Sequence, residues 1–558
     1  MLGRRLAKHL LRRATFNVSK ERIEAFSKYT PTQAIAELSV IPDKNLIQPI
    51  HYKNGDLSQA SPWINDDAIY GKVNANNGSG GFKLKNYVVG WWLDEARIDT
   101  SYRSKMAYFL HTNFTASSTN LNNVYGVFYD YLQLLELFCL GDWKEFVFQM
   151  TKNPLMLDYL NNDQNTVVNP NENYAREFLE LFTIGKGAQV GSGDYTNYTE
   201  SDIEQAARVL TGWKFYYINT IKYPDKDRRK FTNGADFGNI PCGYPSVNQH
   251  DFGRKEFSNR FDNYVIEEWD TARKTNEERS ARVETELKEF IEMVLRKNET
   301  AKFMCRKLYR YYVSRKITTE IENDIITPLA ATFRVNYNLQ ETIDQLLLSQ
   351  HFYDLDDSDN TDEIIGALLK SPLDLVMQTL TITDYPVPNS ISQGEFHYRN
   401  FYYFQIILKI LQPAGQDPFS PPSVAGFPPN YEKPDYDKFW FNSATIISRY
   451  NMADVLLNPK RTKTTFYVTT FVENNVSNPF DPNILVAELV AIMFPETIDA
   501  NRLNYFVTDI LLEAGETTPE MWADEWNVYK NSGNNSGVES VLKPLFRALT
   551  WSQEFQNN

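Results

Sequence analysis

The sequence is poor in cysteine and histidine, the side chains that build disulfide scaffolds and many metal sites. It contains three cysteines and six histidines in 558 residues. Three cysteines exclude a disulfide-dense scaffold and a zinc site with four thiolate ligands. No two histidines form an HxH, HxxxH or HExxH pair, so the sequence has no local zinc motif. A metal site would have to gather residues that are distant in the sequence.

Motifs for nucleophilic catalysis, phosphate loops and membrane passage are also missing. The sequence has neither a G-x-S-x-G elbow nor a G-x-x-x-x-G-K-[ST] loop. No stretch approaches the roughly 18 consecutive apolar residues of a membrane-spanning helix, so we predict no transmembrane segment. Basic residues interrupt the leucines of the opening MLGRRLAKHLLRRATF, so no signal peptide is visible and an amphipathic first helix is predicted.

Positive charge is in deficit overall, with one local exception. Lysine and arginine total 57 against 71 acidic residues, which gives a net charge of −14. Non-specific nucleic-acid binding needs a basic face, so we predict no nucleic-acid partner. Lys302, Arg306 and Arg310 nevertheless recur every four residues on a predicted helix, followed by Arg315 and Lys316. This stripe is either a solvated helix face or a recognition surface for an acidic partner or an anionic glycan.

Helical periodicity covers most of the chain and predicts a mainly α fold. We expect a large multi-helix globular unit with a small β-containing insertion. Its parts are residues 1–213, the insertion at 214–264, and residues 265–558, and we expect them to form one integrated unit. A Pro-rich loop at 412–434 is expected to pack over the central helices, and residues 39–86 are expected to form a long loop or insertion.

Six stretches of the sequence occur in the order found in one bacterial family. They read HLLRRATF (9–16), RSKMAYFLHTNF (103–114), NENYAREFLELFTIG (171–185), YTESD to ARVLTGW (198–213), HDFGRKEF (250–257) and PPSVAGFP (421–428). Together they resemble the motifs of the "domain of unknown function 1800" family over most of the chain. Two positions depart from the pattern: Ser104 stands in place of Glu, and Phe427 in place of Trp.

The resemblance implies a cellular location and a protein partner, but it implies no reaction. Members of this family are largely helical, are often exported, and are often encoded beside a protein that resembles alkaline phosphatases and sulfatases. The resemblance therefore implies an extracytoplasmic location and a protein partner, for which an alkaline-phosphatase-like protein is the candidate. No agreed activity comes with the family, so the sequence leaves open whether the chain is an enzyme.

The segment that begins at Glu172 predicts a helix with one polar side. On a helix, Arg176, Glu177 and Glu180 lie on the same side as Glu172, opposite an apolar side. Three alternatives stay open for this polar side. It is an exposed ladder of ion pairs, a buried structural network, or the wall of a cleft. In the last case Glu177 would act as a base or metal ligand, and Arg176 would attract an anion.

Two histidines are further candidates for a functional role. His111 follows a run of aromatic residues and precedes Asn113, so it is either a core or capping group or a catalytic or ligand group. His250 and Asp251 precede Phe252-Gly253 in a predicted loop. Asp251 would there either hold a tight turn through its side chain or, with His250, serve a functional site.

Two functions follow as hypotheses. The first is a non-catalytic binding or accessory protein of the bacterial envelope or cell surface. The second is a metal-assisted hydrolase of glycans or of phosphate or sulfate esters, with a divalent metal of unknown identity. The candidate catalytic residues of the second hypothesis are His111, Glu177, Arg176, His250 and Asp251. General acid–base catalysis would need these side chains within about 3 Å of a reacting atom.

Overall fold

The structure is a computed structural model. It describes residues 1–40, 50–52, 60–62, 80–119, 125–215, 242–356, 363–388, 396–431, 433, 436–460, 462, 464–513 and 516–558. Most of the predicted loop at 39–86, much of the predicted insertion at 214–264, and Pro434 of the Pro-rich loop lie outside these residues.

Helices dominate the described residues, which confirms the prediction of a mainly α fold. The α-helices are Gly3–Ala14, Lys20–Phe26, Pro31–Ser39, Gly80–Ile98, Arg103–Asn113, Tyr125–Phe138, Trp143–Thr151, Pro154–Tyr159, Glu172–Glu177, Glu200–Val209, Asn276–Leu295, Asn298–Tyr312, Thr319–Ile321, Thr327–Asn336, Leu339–Leu348, Pro372–Ile382, Pro428–Tyr431, Thr445–Leu457, Val468–Asn475, Pro482–Met493, Ala500–Tyr505, Pro519–Ser532, Ser536–Trp551 and Gln553–Gln556. The π-helical segments are Phe178–Thr183, Glu322–Ile326, Phe396–Leu411 and Phe506–Glu513. Among these helices, none combines the length and hydrophobicity that crossing a bilayer requires.

Strands are short and paired two by two. The described residues contain four antiparallel pairs: Ile50–Tyr52 with Ala60–Pro62, Gln189–Gly191 with Asp194–Tyr195, Trp213–Lys214 with Tyr244–Pro245, and Lys255–Glu256 with Val265–Ile266. The last two pairs lie at the ends of the predicted insertion, so this region contains β structure. The boundaries proposed for the three parts of the chain stay a prediction.

Local capping explains where several helices begin. Thr199 accepts a hydrogen bond from the Asp202 amide at 3.3 Å, and the Asp202 carboxylate accepts one from the Thr199 amide at 2.8 Å. Such a reciprocal capping box satisfies two amide groups that the first helical turn leaves without partners. Thr30 and Thr275 begin their helices in the same way. These starts are readable from the sequence because they depend on residues three positions apart.

One cluster of buried apolar side chains extends from Leu2 to Phe555. Its largest members are tryptophans, including Trp91 and Trp92, which are each 1% exposed. A core of this size explains how the chain folds without disulfides, since none of the three cysteines forms one.

The first helix is amphipathic only in its first turns. Arg4 and Arg5 are exposed, whereas Lys8 and Arg12 are buried together with the leucines. Arg12 donates to the carbonyl of Met493 at 2.5 Å, and Lys8 donates to that of Ala491 at 3.0 Å. Both carbonyls lie in the last turn of the helix Pro482–Met493. The buried cations therefore satisfy the unpaired carbonyl end of a distant helix, where positive charge is favourable.

Candidate functional site

The predicted helix at 172–183 is present, and its second half is π-helical. The α-helical part spans Glu172–Glu177, and the π-helical part spans Phe178–Thr183. The Asn171 side chain caps the start by accepting from the Asn173 amide at 3.0 Å. The Thr183 hydroxyl donates to the Phe178 carbonyl at 2.6 Å. The wider turn is a feature that the apolar and polar periodicity did not predict.

The charged side of this helix is largely occupied by ion pairs. Arg176 donates to both carboxylate oxygens of Glu200, at 2.8 and 2.7 Å, and to Glu172 at 3.2 Å. The three side chains are 33–45% exposed. Glu180 accepts from the Tyr198 hydroxyl at 2.9 Å. Burial, followed by the charge of Glu180, raises the pKa of the half-buried Glu177 carboxyl. The observed contacts match the ion-pair alternative most closely.

His111 lies in the core. Its Nδ1 atom is 2.8 Å from the Tyr131 hydroxyl, which donates to the Phe114 carbonyl at 2.8 Å. Because the tyrosine proton is used there, Nδ1 is the donor to Tyr131. Burial lowers the pKa of His111 to about 3, so the ring is neutral at ordinary pH. The Phe419 ring is 4.8 Å from the histidine ring, and these contacts match the core alternative.

His250 belongs to a buried ionic network. Its Nδ1 is 2.9 Å from the Thr211 carbonyl, and its Nε2 is 3.3 Å from the Glu286 carboxylate. Lys255 donates to the same carboxylate at 2.7 Å, and Arg282 lies 3.2 Å from its other oxygen. Glu286 is fully buried. A buried carboxylate is stable only with such partners, so the network ties the 250–257 segment to the helix Asn276–Leu295.

Asp251 holds a turn, as one of the two alternatives predicted. Its Oδ1 accepts from the Gly253 amide at 2.8 Å, the side-chain-to-backbone bond of an Asx turn. Its Oδ2 accepts from Arg208 at 2.7 Å. Burial by itself would raise the pKa of Asp251, but the hydrogen bonds from Arg208 and Gly253 outweigh it and lower that pKa.

The five candidate residues fall into three separate places. The helix Glu200–Val209 contacts Arg176 through Glu200 at its start and Asp251 through Arg208 near its end. Eight residues of helix separate these contacts by roughly 12 Å along its axis. His111 has its own partners in the aromatic core. Within the part of the chain that the structure describes, no three His, Cys, Asp or Glu side chains come together in a way that could hold a metal ion.

A cleft in another part of the molecule is lined by charged side chains that are far apart in the sequence. It has a volume of about 70 Å³. The Gly3–Ala14, Arg103–Asn113, Asn298–Tyr312 and Pro372–Ile382 helices contribute to its walls, together with residues from 429–430 and 436–440. The charged lining comprises five cations and two carboxylates: Arg13, Lys105, Lys307, Arg310, Arg315, Asp374 and Asp437. We call this site the basic cleft.

Both carboxylates of the basic cleft are already paired. Lys105 forms an ion pair with Asp374, and the two side chains are 3% and 11% exposed. Arg315 lies 3.3 Å from Asp437, whose other oxygen accepts from the Leu369 amide at 2.8 Å. These pairs leave Arg13, Lys307 and Arg310 without an Asp or Glu partner among the described residues.

The three remaining cations form no ion pair with an Asp or Glu side chain among the described residues. Arg13 is 1% exposed and donates from Nη2 to the main-chain oxygen atoms of Ile364 and Asn558, at 2.7 and 3.2 Å. Its Nε and Nη1 have no hydrogen-bond partner there, and neither has Nε of Arg310. Lys307 donates to the Leu181 carbonyl in the π-helical turn at 2.5 Å.

Burial lowers the pKa of four of the basic side chains that line the cleft. It lowers the pKa of Lys307 to about 7 and that of Arg13 to about 10. It is also the largest influence on Lys105 and Arg310, and it lowers both of their pKa values. For Arg13, Lys105 and Arg310 the loss of hydration outweighs the attraction of nearby acidic groups, and for Lys307 the charge of Arg310 lowers the pKa further. A bound anion would supply the missing negative charge.

Sequence reasoning missed most of this site. Arg13 belongs to the HLLRRATF stretch, Lys105 to the RSKM stretch, and Pro429 follows the PPSVAGFP stretch directly. In the basic stripe, Lys302 and Arg306 pair with Glu322, and only Arg310 and Arg315 line the cleft. The signal that the sequence offered was the presence of Arg13 and Lys105 in two of the six family-like stretches.

The Pro-rich loop lies against the helix that carries His111. Phe419 is fully buried, and its ring centre is 4.8 Å from that of Trp92. Gly426 has a φ of +93°, and a Cβ there would lie 3.1 Å from the Thr115 hydroxyl oxygen. The turn therefore requires glycine both for its backbone conformation and for its close approach to the helix end. This packing fixes Pro429 and Asn430 at the rim of the cleft.

Comparison with known proteins agrees with the resemblance seen in the sequence. The family model described as "Protein of unknown function (DUF1800)" matches residues 9–557. No curated protein and no solved structure matches the chain. The matched region includes every segment that lines the basic cleft except Asn558. The chain belongs to the DUF1800 family.

Proposed function

We propose that this chain is a binding protein whose basic cleft holds an anionic group of a ligand. One observation carries the proposal: three basic side chains line the cleft with no Asp or Glu partner among the described residues. Removing an unpaired charge from water costs several kcal/mol. An oxyanion such as phosphate, sulfate or a carboxylate would offset that cost. The volume of about 70 Å³ suits one compact group of this kind.

The overall charge of the chain strengthens this reasoning. A protein with a net charge of −14 repels anions at long range. A recess with three basic side chains that lack an Asp or Glu partner is therefore not a consequence of a generally basic surface. The recess also limits screening by solvent, which makes charge-assisted hydrogen bonds from Arg13 and Arg310 stronger than they would be on the surface.

The proposed setting is the one that the family resemblance implies. We propose an accessory role outside the cytoplasm of a bacterium, beside an alkaline-phosphatase-like partner. A protein of that class acts on phosphate or sulfate esters, so an oxyanion site suits its companion. Co-purification from the native envelope would test the partnership. Recovery of the chain alone, under conditions that preserve other envelope complexes, would count against it.

Anion binding is tested by calorimetric titration of the full chain with sodium sulfate. The variant Arg310→Gln removes a charge from the cleft wall, and we expect it to weaken binding roughly tenfold or more, as loss of a charged hydrogen bond does. The matched control is Arg306→Gln, one turn earlier on the same helix and paired with Glu299 and Glu322. Equal weakening in both variants, or no binding to the unmodified chain, would refute the site.

A second function, hydrolysis of phosphate or sulfate esters, is favoured by one specific observation. Lys307 has a pKa of about 7 and lies in the same cleft as Ser371 and Asp374. A lysine that titrates near neutral pH can accept or donate a proton. The five candidates His111, Glu177, Arg176, His250 and Asp251 are not part of the lining of this cleft.

Turnover of p-nitrophenyl phosphate and p-nitrophenyl sulfate separates this second function from the first. The measurement is made with and without added magnesium, manganese or zinc, because the hydrolase hypothesis includes a divalent metal. Release of p-nitrophenol that Lys307→Gln abolishes would support hydrolysis. Tight sulfate binding without turnover under all of these conditions would support the binding role.

A further inference from the structure

A second cavity adjoins the basic cleft. It has a volume of about 540 Å³ and shares Arg310, Arg315 and Tyr436 with the cleft. We call it the outer cavity. The guanidinium carbon of Arg310 lies 4.8 Å from the centre of the Tyr436 ring, so this pair stands where the two spaces meet. A ligand group in either space would contact the same arginine.

The outer cavity is also positively charged. Besides the shared arginines, Lys316 and Lys433 line it, and Glu363 is its one acidic lining residue. Neither lysine forms an ion pair with a carboxylate of the residues that the structure describes. The positive lining therefore continues from the basic cleft into a space large enough for the rest of a small ligand.

Shared contact with one guanidinium limits the spacing of the ligand's charges. Arginine nitrogen atoms form hydrogen bonds at about 3 Å, so both anionic groups must lie close to the same planar fork. Directly linked phosphate groups meet this requirement. Acidic groups on separate sugar rings or on separate side chains of a peptide are held farther apart by their own scaffold.

We propose that the ligand carries consecutive phosphate groups, as a diphosphate or longer phosphate chain does, with its end group in the basic cleft and the next group at Arg310 in the outer cavity. This inference rests on the proposed anion-binding function and names its ligand class. The two unpaired nitrogen positions of Arg13 receive the end group, and Lys316 contributes charge to the following group. No covalent step is involved.

Calorimetric titrations with four small anions test the inference. The full chain is titrated at constant ionic strength with phosphate, pyrophosphate, tripolyphosphate and citrate. We expect pyrophosphate and tripolyphosphate to bind at least tenfold more tightly than phosphate. Citrate carries several charges on separate carbon atoms, so we expect it to bind more weakly than pyrophosphate. Citrate binding as tightly as pyrophosphate would overturn the inference, because net charge alone would then explain the affinity.

One pair of lysine variants assigns the second phosphate to the outer cavity. Lys316→Ala should lower pyrophosphate affinity at least threefold and leave phosphate affinity unchanged. Lys409→Ala, at an exposed lysine that lines neither cavity, should change neither affinity. Equal weakening of both anions by Lys316→Ala would overturn the two-cavity assignment.

The failures of the two proposals are distinguishable. If phosphate binds and pyrophosphate binds no more tightly, the inference is wrong while the anion-binding function stands. If neither anion binds to the folded chain, the proposed function fails, and the inference fails with it.

Discussion

The 172–183 helix and the basic cleft are both rich in charged residues, but the charged side chains are paired and exposed on the helix, whereas several are buried without an acidic partner in the cleft. On the helix, Arg176 meets two carboxylates at a surface where each partner stays at least one-third exposed. In the cleft, Arg13 is 1% exposed and two of its three nitrogen positions have no hydrogen-bond partner among the described residues. In the first arrangement the charges are paired within the chain, whereas the second leaves hydrogen-bond donors without a partner among the described residues.

The difference shows which property of a charged residue indicates a binding site. A dense run of charges such as NENYARE is conspicuous in a sequence, but exposed ion pairs contribute only about 0–1 kcal/mol. A buried cation costs far more unless a partner compensates it. Uncompensated burial is therefore a stronger functional indication than charge density, and it becomes visible only when distant segments are assembled.

The largest expected effect comes from breaking a buried pair in the cleft. Lys105→Ala leaves the Asp374 carboxylate buried without its cation, and we expect the free energy of unfolding to fall by about 3–5 kcal/mol. Denaturant unfolding followed by circular dichroism measures this change. A loss below about 1 kcal/mol would place the pair in the same class as the exposed pairs of the 172–183 helix.

A smaller effect concerns the pH dependence of anion binding. Lys307 loses its proton as pH rises through about 7, so the affinity for sulfate should fall several-fold between pH 6 and pH 8.5. Sulfate is the suitable anion because its own charge is constant over this range. The variant Lys307→Gln should bind sulfate with little dependence on pH, and an unchanged pH profile in that variant would exclude Lys307 as the titrating group.

The same lysine affects stability in the opposite direction. Its pKa is about 7 in the folded chain and near 10.5 when unfolded, so between these values the unfolded state binds more protons. The contribution of Lys307 to stability therefore increases as pH rises from about 7 to 10.5. Comparing unfolding midpoints of the unmodified chain and Lys307→Gln at pH 7 and pH 9.5 isolates this contribution. Parallel pH dependence in the two proteins would contradict the lowered pKa.

The smallest expected effect is on the 172–183 helix. Arg176→Ala should lower the free energy of unfolding by no more than about 1 kcal/mol, because its partners are exposed and become solvated when it is lost. Sulfate affinity should stay the same. A tenfold loss of sulfate affinity in this variant would contradict an anion site in the basic cleft and would place that site at the 172–183 helix.

Features set by neighbouring residues could be predicted from the sequence. The helices Leu339–Leu348 and Glu200–Val209 each begin after a residue whose side chain caps the first turn, Asn338 and Thr199. Asp251 forms an Asx turn with a glycine two residues away. In each case the interaction joins residues that are two or three positions apart, so the local sequence is enough to predict it.

Contacts between residues that are far apart in the sequence could not be predicted. The pairing of Lys105 with Asp374 joins residues 269 positions apart. The Glu286 carboxylate that holds His250 lies 36 residues away, on a helix with no local signal for such a role. The π-helical turn whose Leu181 carbonyl accepts from Lys307 has no sequence signature either. A single sequence carries no record of which distant side chains meet.

The most direct test of the central claim is a crystal structure of the full chain soaked with selenate, whose selenium atom is located by anomalous scattering. The account predicts an anomalous peak in the basic cleft, with selenate oxygen atoms about 3 Å from nitrogen atoms of Arg13 and Arg310. An empty cleft in crystals that bind selenate beside Arg176 would contradict it.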